Sequence, residues 1–301
     1  MSMEELMEIL RQKQQEMQKQ YDTKTTIGKA VEIPWKDHLP VKVIFNKPAK
    51  RPERKMPYFI NAHGGAFIEG DALTMDSYCQ LLADRLGILV VNLNYRLSPD
   101  YVYGYQIAEI EVVRDYVEKY QDELKVDAAK CGIGGFSAGA TLSLSSIITN
   151  IQKGRTPYSC CVLGYPMTSS LPKSIDPFAP YQPGSEEMMS AIGIYTNGHE
   201  SEPACSPLLA DKEILNRFPP TILFTCGKDA LSAQGRAFAK KLIESGVYLN
   251  FNEYKDAFHG FLEVNRPDYF PEDSRKTQEQ LELTKNAEEF IIHGLTAMLV
   301  Q

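Results

Sequence analysis

Gly135-Phe136-Ser137-Ala138-Gly139 closes a β-branched, glycine-rich run near the middle of the chain, and the small-residue stretch Ala140-Thr141-Leu142-Ser143-Leu144-Ser145-Ser146-Ile147-Ile148 follows at once. This is G-x-S-x-G at a point where a strand should turn sharply into a helix. Such an elbow strains the serine backbone, exposes Oγ at the carboxyl edge of a sheet and sets the next N–H at a helix start. Gly135 and Gly139 are expected to be small because strand and helix pass closely there. The pentapeptide alone arises by chance in roughly one chain of this length in ten, so its surroundings decide. A plain helix N-cap would also place a serine here, but would not explain both flanking glycines.

Upstream, Met56-Pro57-Tyr58-Phe59-Ile60-Asn61-Ala62 has the pattern of a strand and runs directly into His63-Gly64-Gly65-Ala66-Phe67. An HGG-type loop after a strand supplies backbone N–H groups to an oxyanion. Downstream, the strand-like Thr221-Ile222-Leu223-Phe224-Thr225-Cys226 ends in Gly227-Lys228-Asp229, and Asp256-Ala257-Phe258-His259-Gly260-Phe261 follows a further strand pattern over 247–254. The chain order Ser137, Asp229, His259 is that of the α/β-hydrolases.

On these segments the chain resembles the hormone-sensitive-lipase-type esterases of the α/β-hydrolase fold. The resemblance runs from about Lys29 to the end. It includes Asn94-Tyr95-Arg96-Leu97-Ser98-Pro99, similar to the family's Tyr-Arg-Leu-Ala-Pro segment, and Ser206-Pro207-Leu208-Leu209-Ala210, similar to the stretch before the acid strand. It implies a mostly parallel eight-stranded sheet flanked by helices, with a small helical cap. Residues 1–301 are expected to form one domain, with cap elements at about 1–25 and 166–202. Two departures stand out: Phe136 replaces the Asp that usually precedes the serine, and Ala66 replaces the third glycine of the oxyanion loop. Gly64 and Gly65 remain, so two donors from that loop are still expected.

The chemistry needs these residue types. A serine hydroxyl is too weak an acid to attack unaided at neutral pH, so His259 is expected to take its proton while Asp229 fixes the imidazole tautomer and supports the imidazolium. The N–H groups of Gly64, Gly65 and Ala138 are the expected oxyanion donors, with His63, Gly135 and Gly139 as support. Asp256 is a rival acid, but Asp229 ends a strand and is followed by Ala230-Leu231, as the resemblance requires. Of the other histidines, His38, His199 and His293 suit surface or packing positions, and Glu69 and Asp71 suit solvated turns. The expected activity is hydrolysis of carboxylic esters with small or medium acyl chains through an acyl-enzyme, with no metal or organic cofactor. An amide- or peptide-directed serine hydrolase is the alternative within enzymes, and a non-catalytic small-molecule binding module lies outside them. An intact Ser, Asp and His set argues against the last.

Composition agrees. With 301 residues, 43% of them hydrophobic, the chain can bury a sizeable core. A net charge of −7 without clustered Lys and Arg disfavours nucleic acid. The acidic start Met1-Ser2-Met3-Glu4-Glu5 lacks the apolar region of a secretory signal, and no run is long enough to span a bilayer. Six cysteines show no metal spacing. They are expected to be reduced, in a cytoplasmic protein. Cys160 and Cys161 should point to opposite faces of a strand. An edge strand or the terminal helix is the expected means of pairing if a homodimer forms.

Along the chain, Met3, Leu6, Met7, Leu10, Met17 and Tyr21 fall near helical spacing. They predict an amphipathic helix that either covers apolar surface or joins a cap. Strands are expected near Val31 and at 41–46, 58–62 and 88–94, with helices at about 106–120, 186–195 and 277–300. The aromatic segment Asp100-Tyr101-Val102-Tyr103-Gly104-Tyr105 should either line a pocket or pack.

Overall fold

The computed structural model describes residues 2–50, 52–171, 185–269 and 273–301. Eight strands form one sheet: β1 (Lys29–Ile33), β2 (Val41–Asn46), β3 (Met56–Ala62), β4 (Leu89–Asn94), β5 (Val126–Phe136), β6 (Cys160–Gly164), β7 (Thr221–Lys228) and β8 (Leu249–Phe258). Their order is β1-β2-β4-β3-β5-β6-β7-β8. β1 and β2 pair antiparallel at one edge, and every neighbour from β4 to β8 pairs in parallel. The α/β-hydrolase fold expected from the sequence is the fold observed.

The parallel strands are covered on both faces, so they read as continuous apolar runs. Neighbouring side chains divide between the faces. Tyr58, Ile60 and Ala62 of β3 join one core with Val91, Leu163 and Leu223. Phe59 joins the other with Val90, Val162 and Phe224. Helices α1 (Met3–Tyr21), α2 (Asp76–Leu86), α3 (Tyr105–Lys119), α4 (Ala138–Gln152), α5 (Ser185–Thr196), α6 (Ser232–Glu244) and α7 (Gln278–Leu295) complete the layers. α3, α4 and α6 cover the first face through Ile110, Leu142 and Phe238, while α2 and α7 cover the second through Leu82 and Ile291.

Cys160 lies in the second core and Cys161 in the first, as strand alternation requires. All six cysteines are free and buried. Burial pushes the thiols of Cys131 and Cys161 up to about 12, which suppresses thiolate chemistry.

Several boundaries differ from the sequence expectation. The terminal α-helix stops at Leu295 and continues as one wider turn to Val300. Much of the cap piece expected at 166–202, residues 172–184, lies outside the described residues. The aromatic segment mainly packs: Tyr105 lies against Trp35 and Tyr101, and the Tyr103 N–H donates to the Tyr195 carbonyl at 2.8 Å. Asp71 is not a solvated turn residue. It is buried, with its carboxylate accepting from the Leu73 N–H at 2.8 Å and Asn94 Nδ2 at 2.8 Å. Those two donors compensate its desolvation. Glu69 remains partly exposed and pairs with Lys13.

Candidate active site

The site begins with backbone crowding. A Cβ on Gly139 would lie 2.1 Å from the Ala62 carbonyl oxygen and 2.5 Å from that of His63, and one on Gly135 would lie 2.3 Å from the Ala62 oxygen. The elbow is therefore pressed against the end of β3, the strand that feeds the HGG loop. Ser137 sits at φ 51°, ψ −118°, between β5 and α4. Its own N–H donates to the Gly164 carbonyl at 2.9 Å, tying the strained residue to β6. Ala138 opens α4, where first-turn amides have no partner within the helix.

The HGG loop is held from below. His63 is buried and its ring stacks on Tyr95 at 4.1 Å. Burial holds this imidazole below the usual range and therefore neutral, so Nδ1–H can donate to the Gly64 carbonyl 2.6 Å away. The Tyr95 hydroxyl donates to the His63 carbonyl at 2.9 Å. Next along the chain, Arg96 donates from Nη1 to the buried Glu109 carboxylate at 2.6 Å and from Nη2 to the Pro40 carbonyl at 2.9 Å. The Tyr-Arg segment is thus a strut beneath the loop. Gly65 has φ 117°, and Ala66 and Phe67 hold positive φ despite their side chains. Among the described residues, the amides of Gly64, Gly65 and Ala138 donate no hydrogen bond within the protein.

Above this backbone cradle the predicted polar side chains meet. His259 Nε2 lies 2.7 Å from Ser137 Oγ, and Nδ1 lies 2.7 Å from Asp229 Oδ2. Asp229 is nearly buried, and its other oxygen accepts from the Leu231 N–H at 2.9 Å, so the turn after β7 orients it. Burial works against a protonated His259, but the charge and hydrogen bond of Asp229, followed by the charge of Glu263, outweigh it and hold the ring above the ordinary imidazole range. The His259 carbonyl accepts from Arg275 Nη1 at 2.9 Å. Asp256 is exposed, beside Lys228, and takes no part. His38, His199 and His293 are also exposed and away from Ser137, with His38 stacked on Trp35 and His199 beside Glu202.

These groups border a cavity of about 660 Å³, a size suited to a small organic ligand. Its walls include Met17 and Tyr21 of α1, Met189 and Ile192 of α5, and Met167 and Leu231. The amphipathic first helix therefore reaches the cavity. It docks through Gln14 Nε2, which donates to the carbonyls of Ile68 at 2.7 Å and Ser98 at 2.6 Å. The ring of Tyr195 in α5 stacks on Phe67 of the HGG loop at 3.7 Å.

One bordering residue, with its partner behind it, has no counterpart in the sequence expectation. Glu263 is buried and accepts from the Tyr165 hydroxyl at 2.5 Å. Burial raises this carboxyl above its usual range, against the opposing effects of Tyr165 and the His259 charge. Glu263 lies in the short helical turn Phe261–Val264, which follows His259 after Gly260 in the left-handed conformation.

Comparison with known proteins agrees with this construction. The family model described as alpha/beta hydrolase fold matches residues 59–263, more than half of the chain. The chain belongs to this family, in the hormone-sensitive-lipase-like group that its motifs indicate. It is 24% identical to neutral cholesterol ester hydrolase 1 of Rattus norvegicus over 290 residues, covering 73% of this chain and 71% of that protein. It is 26% identical to an arylesterase of Saccharolobus solfataricus over 264 residues, covering 84% and 83%. An acetyl esterase of Salmonella enteritidis is 27% identical over 209 residues, covering 68% and 65%. Among solved structures, a thermostable esterase from Pseudomonas putida superposes with a TM-score of 0.78 at 22% identity, covering 99% of this chain and 91% of that one. This last likeness concerns the fold.

Proposed function

We propose that the protein is a carboxylic-ester hydrolase acting on small or medium acyl groups by way of an acyl-enzyme on Ser137. The observation that carries the proposal is the continuous relay from Ser137 through His259 to Asp229, at 2.7 Å for each link, beside backbone amides that have no partner among the described residues. His259 takes the Ser137 proton as Oγ attacks the ester carbonyl carbon. The carbonyl oxygen, now an oxyanion, receives hydrogen bonds from Gly64, Gly65 and Ala138. The tetrahedral species collapses, His259 gives the proton to the departing alcohol, and the acyl group stays on Ser137. Water then enters, loses a proton to His259 and releases the acid by the same route. Asp229 keeps Nδ1 protonated throughout and offsets the ring's positive charge. Each oxyanion donor contributes about 2.7–4 kcal/mol to such a transition state.

The acetyl esterase and arylesterase relatives support an ester as the substrate. The unbranched methionine side chains at 17, 167 and 189 suit acyl chains of more than one shape. The test is hydrolysis of p-nitrophenyl esters of increasing acyl length by wild type and Ser137→Ala. Serine-dependent turnover that favours acetate or butyrate is expected. No turnover of any ester, or equal turnover by the variant, would overturn the proposal.

A further inference from the structure

Glu263 is a carboxyl at the cavity wall that hydrogen-bonds to neither the relay residues nor the oxyanion donors. The residue is only 8% exposed, yet it borders the same space as Ser137 and His259. Its Oε2 accepts from Tyr165, whose ring meets that of His259 at 5.0 Å and 64°. Its Oε1 lies against the oxyanion loop, where a Cβ on Gly64 would come within 2.3 Å of it. The carboxylate also accepts from its own backbone N–H, and among the described residues no other residue donates a hydrogen bond to Oε1.

Desolvating a carboxyl is costly, and an apolar side chain would fill the same turn without that cost. A carboxylate has more acceptor sites than the Tyr165 hydroxyl and its own N–H occupy, so its edge on the cavity can take a donor from outside the protein. The catalytic chemistry indicates which part of an ester can provide it. The leaving oxygen must come within reach of His259 Nε2 to receive its proton, so the alcohol portion departs past the segment that carries both His259 and Glu263. Tyr269, which also borders the cavity, interacts electrostatically with Glu263, Glu69 and Arg275. Arg275 is paired with Asp273 and with the His259 carbonyl, and Lys13 with Glu69. The nearby cations thus already have partners, which leaves Glu263 Oε1 as an acceptor facing the alcohol.

Building on the ester-hydrolase proposal, we infer that Glu263, oriented by Tyr165, is a specificity-determining acceptor for a hydroxyl group on the alcohol portion of the substrate. The favoured esters are those of polyhydric alcohols, in which one oxygen is acylated and a neighbouring hydroxyl is free.

The test compares glycerol 1-acetate with n-propyl acetate, which has the same carbon frame and no free hydroxyl. The quantity measured is the ratio of their kcat/KM values in wild type, Glu263→Leu, Glu263→Gln and Tyr165→Phe, with thermal melting to establish that each variant is folded. Glu263→Leu is expected to lower the ratio about tenfold or more. Glu263→Gln, whose amide oxygen still accepts, should hold it within about threefold, and Tyr165→Phe should lower it about threefold by releasing the carboxyl. If Glu263→Leu does not fold, Tyr165→Phe carries the test. A ratio unchanged in the folded variants, including a parallel fall on both esters, overturns the inference and leaves the ester-hydrolase proposal intact. A stronger dependence on Glu263 for acetylcholine than for glycerol 1-acetate overturns the hydroxyl assignment. Wild type that hydrolyses neither of the first two esters overturns the underlying proposal itself.

Discussion

At the elbow the protein is crowded backbone against backbone, with a Cβ on Gly139 only 2.1 Å from the Ala62 oxygen and one on Gly65 only 2.0 Å from that of Glu69. In the expected cap, α1 and α5 meet through side chains: Leu10, Ala191 and Ile194 are buried with Ile68, and Leu6 and Met7 lie at the margin. This small cluster is separate from the two cores on the faces of the sheet. Where backbone geometry sets position, one methyl group is too many, because main chain has no rotamer with which to yield. Where side chains set position, substitution is absorbed by local repacking, and the consequence falls on the shape of the cavity. The geometry around Ser137 and the shape of the cavity therefore rest on two kinds of constraint that mutation can separate.

Breaking the relay should have the largest effect. Ser137→Ala is expected to reduce kcat by about 10⁶-fold with the fold retained, as measured by ester turnover beside circular dichroism. Asp229→Asn should cost about 10⁴-fold in kcat, because the amide favours the wrong imidazole tautomer. It also carries a pH signature. His259 acts as a base only when neutral, so kcat/KM falls as pH drops through its pKa. Asp229 and Glu263 together hold that pKa above the ordinary range, against burial. The acid limb of the wild type should accordingly lie above the usual imidazole value, and removing the Asp229 charge should move it to lower pH. A profile that does not move would show that Asp229 is not the charge acting on the ring.

Smaller changes sharpen the contrast between elbow and cap. Gly139→Ala must displace the end of β3 or the start of α4. It should cost about 1–3 kcal/mol of stability and roughly 10²-fold in kcat/KM through a misplaced oxyanion loop, measured by denaturant unfolding and initial rates. Leu10→Ala, in the cap cluster, is expected to leave kcat within about threefold while raising KM severalfold, most for longer acyl chains. A loss of kcat there comparable to that of Gly139→Ala would dissolve the distinction.

The two regions also differ in how far they could be read from the sequence. The elbow, the HGG loop, Asp229 and His259 are legible because strained turns and close backbone approach restrict which residues can stand at given spacings. The strands are legible because sheet faces covered on both sides demand apolar runs. Asp71 resisted, since its partners Leu73 and Asn94 combine a local amide with a side chain twenty-three positions away. Glu263 resisted for the same reason: its partner Tyr165 is ninety-eight positions earlier. The first helix was recognisable by its period, but not its place over the cavity, which depends on Gln14 finding two carbonyls in separate loops.

By itself, then, the amino-acid sequence determined the order of the Ser137, Asp229 and His259 segments, the fold that presents them and the backbone amides beside Ser137, because local steric rules write those features into short stretches of chain. Tertiary structure alone decided which buried polar groups share a cavity, how α1 and α5 border it, and that a glutamate four residues beyond His259 lies at its wall. Those outcomes depend on side chains distant in sequence being desolvated together, and their pairing leaves no periodicity along the chain.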